Sequence, residues 1–433
     1  MKNSITKLTA LSLASLLLLS GCENVTDRSN RNTHTNTDVE YNTSINYEDL
    51  ERCSYDVADF NYGYHDYSFR LMSQVLANEN SDTNVMISPA SVMFAMDLVA
   101  AGANGDTLTQ ITDMFSEGAV PLEQQAFAAS MMNRINGSNG VDFNCANAVW
   151  TNDCRMSSGL NPEYQQYVED TFGAEAFQEP FSDSTVAEIN SWISANTSGM
   201  IDSVLSDLSD ETVAVLVNAI AFEGQWDVAY EDYQVQQMTF NTASGDDIDV
   251  NMLCDTMNTY FETDLATGTI RYYDGGEYAF IVILPTDESV SANEFLAGFT
   301  AEDYDAFIAS RSYNYDVYSR IPEFDYDYDT SLGSVLQALG VEDAFDPVRA
   351  DLTGIGFADS GNNIFISNVI HKTHIELDSE GTRAAAATVV FLEDACVEPE
   401  VVLTREVYCD RPFAYAIVDA ETMNPIFLGT YNG

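Results

Sequence analysis

From Tyr62 to the C-terminus apolar residues recur with no second polar linker and no repeat period, so one large core is required rather than two small ones. The pattern changes character along the way. Phe69, Leu71, Met72, Val75 and Leu76 recur at helical spacing, as do Val92, Ala95, Met96 and Val99 after Ser88-Pro89-Ala90-Ser91, a start with proline and hydroxyls. Val213 to Phe222, Ala279 to Leu284, Ala385 to Leu392 and Phe413 to Val418 read instead as buried strands, rich in β-branched and aromatic residues. Helices crowd the first half and strands the second, which predicts an α+β fold rather than regular βαβ alternation.

Sixteen Lys and Arg stand against 69 Asp and Glu, a formal charge of -53. That field repels phosphate backbones and anionic head groups, so nucleic acid is not an expected partner. A surface this acidic reads as a solubility device, suited to a salty habitat that screens the self-repulsion, and identifies no substrate.

The first seven residues, Met-Lys-Asn-Ser-Ile-Thr-Lys, precede an apolar run from Leu8 to Leu19. The run is too short for a bilayer-spanning helix but suits a signal peptide. It ends Leu19-Ser20-Gly21-Cys22, which resembles the bacterial lipobox and implies lipidation at Cys22. Residues 1–22 are therefore read as a lipoprotein signal, 23–61 as a polar disordered tether and 62–433 as the folded domain. The expected location is extracytoplasmic, lipid-anchored to the cell envelope or secreted, with the membrane reached through that lipid only.

An exported chain folds where disulfides persist, and of seven cysteines six remain once Cys22 is set aside. Cys145 with Cys154 and Cys396 with Cys409 are the near-neighbour pairs, each closing a short loop. The late histidines His371 and His374 have no nearby Cys pair, so no zinc spacing is found and neither metal nor cofactor is expected.

Gly381-Thr382-Arg383-Ala384-Ala385-Ala386-Ala387-Thr388 runs from small residues into the β-prone Val389 to Leu392. As a strand it would set Thr382, Ala384, Ala386 and Thr388 on one face and Arg383, Ala385, Ala387 and Val389 on the other. The first face is uniformly small and could slide between existing strands without overpacking the core beneath, with Arg383 pointing away. No proline interrupts Gly381 to Glu398, and Thr382 to Ala395 extended spans roughly 45 Å.

Separated segments resemble one family in one order, the serpins. They are Asn84-Val85-Met86-Ile87-Ser88-Pro89-Ala90-Ser91 with Gly102-Ala103-Asn104-Gly105-Asp106-Thr107; Asn190-Ser191-Trp192-Ile193 with Thr197-Ser198-Gly199-Met200-Ile201; and Asn218-Ala219-Ile220-Ala221-Phe222-Glu223-Gly224-Gln225-Trp226. Ile321-Pro322-Glu323-Phe324, Leu339-Gly340, Ala350 to Ile355, His371-Lys372, Gly381-Thr382, Arg411-Pro412-Phe413 and Phe427-Leu428-Gly429 follow. The resemblance implies three β-sheets with about nine helices and an exposed reactive centre loop. It also implies a function: irreversible suicide-substrate inhibition of serine-type, or papain-like cysteine, proteases by insertion of the loop into the main sheet. No catalytic residues are needed.

Within the resemblance, residues 381–388 form the hinge. Ser88, Ser91, Asn218 and His371 match the polar shutter beneath the sheet's opening point, and Trp226 the breach at its top. Counting from Gly381 places the reactive bond at Ala395-Cys396, with Leu392-Glu393 and Arg405-Glu406 as rivals. A small residue there favours an elastase-like or subtilisin-like target protease. The chain departs from the family at Ser379 and Arg383, where Glu is usual; the loss of the family's ion pair implies either a loop that inserts more readily or a closed state resting on other contacts. No Lys/Arg cluster suggests heparin binding, and a monomer is expected. The alternatives are a non-inhibitory serpin-fold surface binding lipoprotein and a hydrolase; the latter lacks a Gly-x-Ser-x-Gly elbow with a downstream histidine.

Overall fold

The computed structural model describes residues 11–21, 43–201, 203–209, 212–382 and 403–433. Among these lie nine α-helices: α1 (Val57–Leu76), α2 (Pro89–Ala101), α3 (Gly105–Phe115), α4 (Pro121–Asn136), α5 (Pro162–Phe172), α6 (Asp183–Asn196), α7 (Ala292–Gly298), α8 (Ala301–Ala309) and α9 (Gly333–Ala338). The strands are β1 (Leu11–Gly21), β2 (Val85–Ile87), β3 (Val141–Asn152), β4 (Glu175–Glu179), β5 (Thr212–Gln225), β6 (Val235–Asn241), β7 (Asp247–Met257), β8 (Phe261–Glu262), β9 (Ala266–Tyr272), β10 (Tyr278–Pro285), β11 (Tyr315–Pro322), β12 (Phe324–Ser331), β13 (Ile364–Leu377), β14 (Gly381–Thr382), β15 (Leu403–Tyr408), β16 (Phe413–Asp419) and β17 (Pro425–Tyr431).

They form three sheets. The main one runs β12-β13-β1-β5-β3-β4, with β14 added at the end of β5; the others run β2-β17-β16-β10-β9-β8 and β15-β11-β7-β6. The helix starts and three of the four strand runs read from the sequence reappear as α1, α2, β5, β10 and β16, the run from Ala385 to Leu392 lies outside the described residues, and the class is α+β as expected.

Local chemistry explains the placement of α2. Ser88 caps it, its hydroxyl accepting from the Ser91 N–H at 3.1 Å, and Pro89 supplies a preset first turn. Every residue of α2 is buried, as an almost wholly apolar helix must be, and it packs against β5, β1 and β17, between two sheets. Its one carboxyl, Asp97, accepts from Gln125 Nε2 at 2.8 Å, and burial raises its pKa so that the neutral form is favoured. On the other face of the main sheet, Ile189 and Ile193 of α6 cover Ala148, Trp150, Val215, Val217 and Ala219.

The folded body begins before the Tyr62 boundary read from composition. Ile45 is buried, Tyr47 stacks on Tyr167 at 4.0 Å and donates to Ala101 O, and Asp56 caps α1 six residues ahead of Tyr62. The few apolar residues of an otherwise polar stretch suffice to anchor it. Among the described residues no helix is long and apolar enough to cross a membrane.

The expected Cys145–Cys154 disulfide is not formed. Cys154 carries a free thiol, and β3 continues from Cys145 to Asn152 as one strand, which sets the two about 23 Å apart along the chain, far beyond a disulfide's reach. Cys409 is a free, buried thiol, while its expected partner Cys396 lies outside the described residues.

Candidate functional site

The centre of the main sheet holds a strand position bordered by β5 and β13, two chain segments far apart in sequence. In this structure β1 occupies it, antiparallel to both neighbours, with Ser15 opposite Asn218 on one side and His371 on the other. The apolar run read as a signal is thus the sheet's middle strand. The two neighbours each offer a row of backbone donors and acceptors, and an extended segment placed between them satisfies both rows at once.

Beneath this position four separated segments meet. His371 Nε2 accepts from the Ser88 N–H at 3.1 Å, Ser91 Oγ donates to Asn218 Oδ1 at 2.5 Å, and Asn218 Nδ2 donates to Asn147 Oδ1 at 2.7 Å. Ser88, Ser91, Asn147, Asn218 and His371 are all at most 1% exposed. Burial pushes the His371 pKa down to about 3, so the imidazole is neutral and free to accept. The four residues singled out in the sequence are therefore brought together. Asn147 was missed. It sits mid-strand in β3 and donates to Phe172 O at 2.7 Å, and only the pairing of Asn147 with Asn218 across the β3–β5 ladder reveals it.

Alongside the end of β5 lies the short strand β14. Gly381 pairs with Gln225 and Thr382 with Gly224. Gly381 has φ +154°, and a Cβ there would stand 2.3 Å from Gly224 O, so no other residue fits without displacement. Gly224 in turn lets Tyr273 approach: its absent Cβ would meet the Tyr273 ring at 2.6 Å. Thr382 is fully buried, and its hydroxyl shares a 2.9 Å hydrogen bond with Tyr273.

Trp226 closes this end. It stacks on Tyr273 with ring centres 4.7 Å apart, its indole N–H donates to Asp378 O at 3.0 Å, and its backbone N–H to Glu380 O at 3.1 Å. The Tyr230 N–H donates to Ser379 O at 2.9 Å. Arg271 lies 3.8 Å over the Tyr230 ring and 5.4 Å from that of Trp226, and pairs with Asp255 at 2.8 Å. These contacts surround Ser379, where the family usually has Glu. Tyr230, Arg271 and Tyr273 carried no sequence signal of this role.

Arg383, Ala384, Ala385, Ala386, Ala387 and Thr388, the Ala395-Cys396 bond and Cys22 lie outside the described residues. Arg405 and Glu406, the rival cleavage point, are in β15, paired with Val317 and Tyr318 of β11, with the Arg405 guanidinium 4.2 Å over Tyr315. This rival lies in an edge strand of its sheet, and the other rival, Leu392-Glu393, lies outside the described residues.

The protein-family description "Serpin (serine protease inhibitor)" matches residues 63–433. Iripin-8 of Ixodes ricinus is 29% identical over 375 residues, 84% of this chain and 90% of that protein. Leukocyte elastase inhibitor A of Mus musculus is 29% identical over 365 residues, 81% of this chain and 94% of that protein. Among solved structures, the native state of the thermophilic serpin tengpin superposes with a TM-score of 0.78 at 29% identity, covering 91% of this chain and all of the other. Fold, matched extent and the meeting of Ser88, Ser91, Asn218 and His371 under one strand position agree: the chain belongs to the serpin family.

Proposed function

We propose that this serpin is an irreversible suicide-substrate inhibitor whose cleaved reactive loop takes the strand position between β5 and β13. Serpins in general bind target proteases and act as inhibitors rather than enzymes. The observation that carries the reading is the register of β14. Gly381 and Thr382 already pair with Gln225 and Gly224, antiparallel to β5 as β1 is. Continued without a break, that register would bring Ala384 opposite Phe222, where Leu11 pairs, and Thr388 opposite Asn218, where Ser15 pairs. Thr382, Ala384, Ala386 and Thr388 would then share the face of Phe222, Ile220 and Asn218, toward the main core, where only small side chains enter without overpacking.

The chemistry follows from that geometry. A protease serine attacks the scissile carbonyl and forms an acyl-enzyme, releasing the new amine of the residue after the cut. Insertion of the freed strand then carries the acylated protease away before water completes hydrolysis. Each added ladder hydrogen bond contributes about 1 kcal/mol net, so a strand bonded on both sides supplies a large driving force.

We read Leu11–Gly21 as part of a signal removed at export, after which Cys22 carries the lipid and the strand position passes to the loop. A bond at Ala395-Cys396 favours an elastase-like or subtilisin-like target, in keeping with a relative named as an inhibitor of leukocyte elastase. The test is to incubate the chain from Glu23 onward with elastase-like, subtilisin-like, trypsin-like and papain-like proteases and look for a complex that survives boiling in detergent. Mass spectrometry of the released C-terminal peptide locates the cut. Clean cleavage with every protease left active would favour a non-inhibitory binding scaffold instead.

A further inference from the structure

The strand position between β5 and β13 is filled almost from end to end. β1 pairs with β5 from Thr212, opposite Ser20, to Phe222, opposite Leu11. It pairs with β13 from Ile364, opposite Gly21, to His374, opposite Ser12. Thr212 and Ile364 are the first residues of their strands, so both ladders start where β5 and β13 start. At the other end β14 takes Gly224 and Gln225. A single residue of β5, Glu223, separates the two pairings, so a strand continuing β14 has room for Arg383 alone before it meets Leu11.

Two strands cannot share one pair of ladders. Each backbone N–H and C=O that β5 and β13 turn toward this position is bonded by β1 here, and an inserting loop would need the same groups. The polar cluster beneath is held in the matching state: Ser15 stands opposite both Asn218 and His371, and β1 keeps β5 and β13 apart. Because β1 belongs to the same chain, it competes with the loop at a fixed effective concentration and not by chance encounter.

We propose that Leu11–Gly21 is an autoinhibitory strand, and that its removal, rather than synthesis of the chain, is what arms the inhibitor. A chain that folds with the strand attached holds a filled main sheet and meets a protease as a plain substrate. Hydrolysis of the chain beyond Gly21 before folding, which consumes one water, leaves β5 and β13 to close on each other, the unfilled state from which a loop can insert. The proposal rests on the reading of the reactive loop as the strand that takes this position. An unprocessed molecule then takes no protease out of action, wherever it folds.

The experiment compares the purified full chain, its Leu16→Pro and Leu16→Val variants, and the chain from Glu23 onward, with subtilisin and pancreatic elastase as probes. Leu16 lies mid-strand, opposite Val217 and Ile370. Proline has no N–H to give a ladder and is not tolerated in a central strand, whereas valine keeps the strand. The full chain and Leu16→Val are expected to be cut with the protease left active, and to keep the same heat-denaturation midpoint after the cut. Leu16→Pro and the chain from Glu23 onward are expected to melt at lower temperature, to rise in midpoint once their loops are cut, and to form a complex that survives boiling in detergent. Should no sample form that complex, the inhibitory reading fails by itself; a full-chain midpoint above those of Leu16→Pro and the chain from Glu23 onward would still uphold β1 as the strand that fills the sheet. Equal midpoints in all four samples overturn the proposal. So does a boiling-resistant complex formed as readily by the full chain as by the chain from Glu23 onward.

Discussion

The imidazole Nε2 of His371 accepts the backbone N–H of Ser88 at 3.1 Å, joining the middle of β13 to the cap of α2 at a point closed to solvent. This bond requires a neutral ring. The folded pKa, about 3, lies below the ordinary 6.5. Between those values the unfolded chain binds a proton that the native chain does not. The stability tied to this group is therefore complete above pH 6.5 and is lost as pH falls toward 3, by roughly 1.4 kcal/mol per unit. Urea unfolding at pH 7.5, 6.0 and 5.0 is expected to give a steeper loss in wild type than in His371→Gln, the difference growing below pH 6.5. Parallel pH profiles would show that the ring is protonated without cost.

Much of this cluster could be read before any coordinates, because Ser88, Ser91, Asn218 and His371 sit in segments whose order resembles a family. What the sequence could not supply was spatial pairing. Asn147 has no local mark and joins only through the β3–β5 register; Asp325 and Glu376, far apart in the chain, become neighbours only when β12 meets β13. The same gap between chain distance and space produced the Cys145–Cys154 error, since a straight strand carries close sequence neighbours far apart. The Leu11–Gly21 run shows the converse: a short apolar stretch carries no periodicity that separates a signal from a central strand, and two open ladders decide its form here.

Gly381 begins β14 in a conformation that residues with a Cβ rarely adopt. Gly381→Ala would push its methyl group against Gly224 O and Gln225 Cα, and is expected to cost about 1–3 kcal/mol or to dislodge β14 from β5. Hydrogen exchange distinguishes these results. Faster exchange at Thr382 and Gly224 with an unchanged global unfolding curve means the hinge has detached, whereas a lower melting temperature with protected amides means strain has been absorbed in place. No change in either would place the hinge glycine outside the sheet in solution.

Arg383 stands where the family usually has Glu, and the register gives this change a physical meaning. Carried one residue past Thr382, the β14 pairing would bring Arg383 opposite Glu223 of β5. The pairing of Ser12 with His374, extended toward the start of β1, would bring the same position opposite Glu376 of β13. Both are acidic, and Asp325 lies just beyond Glu376. An inserting loop would thus deliver its one cation between two carboxylates on the outer face, each opposite-charge cross-strand pair contributing roughly 0.2–1 kcal/mol. Arg383→Glu reverses both terms and is expected to slow insertion, diverting more of each encounter to hydrolysis. The measurement is the number of inhibitor molecules consumed per protease inactivated, at low salt and again in about 1 M salt, where screening should shrink the difference. An unchanged ratio at low salt would mean that Arg383 does not travel between Glu223 and Glu376.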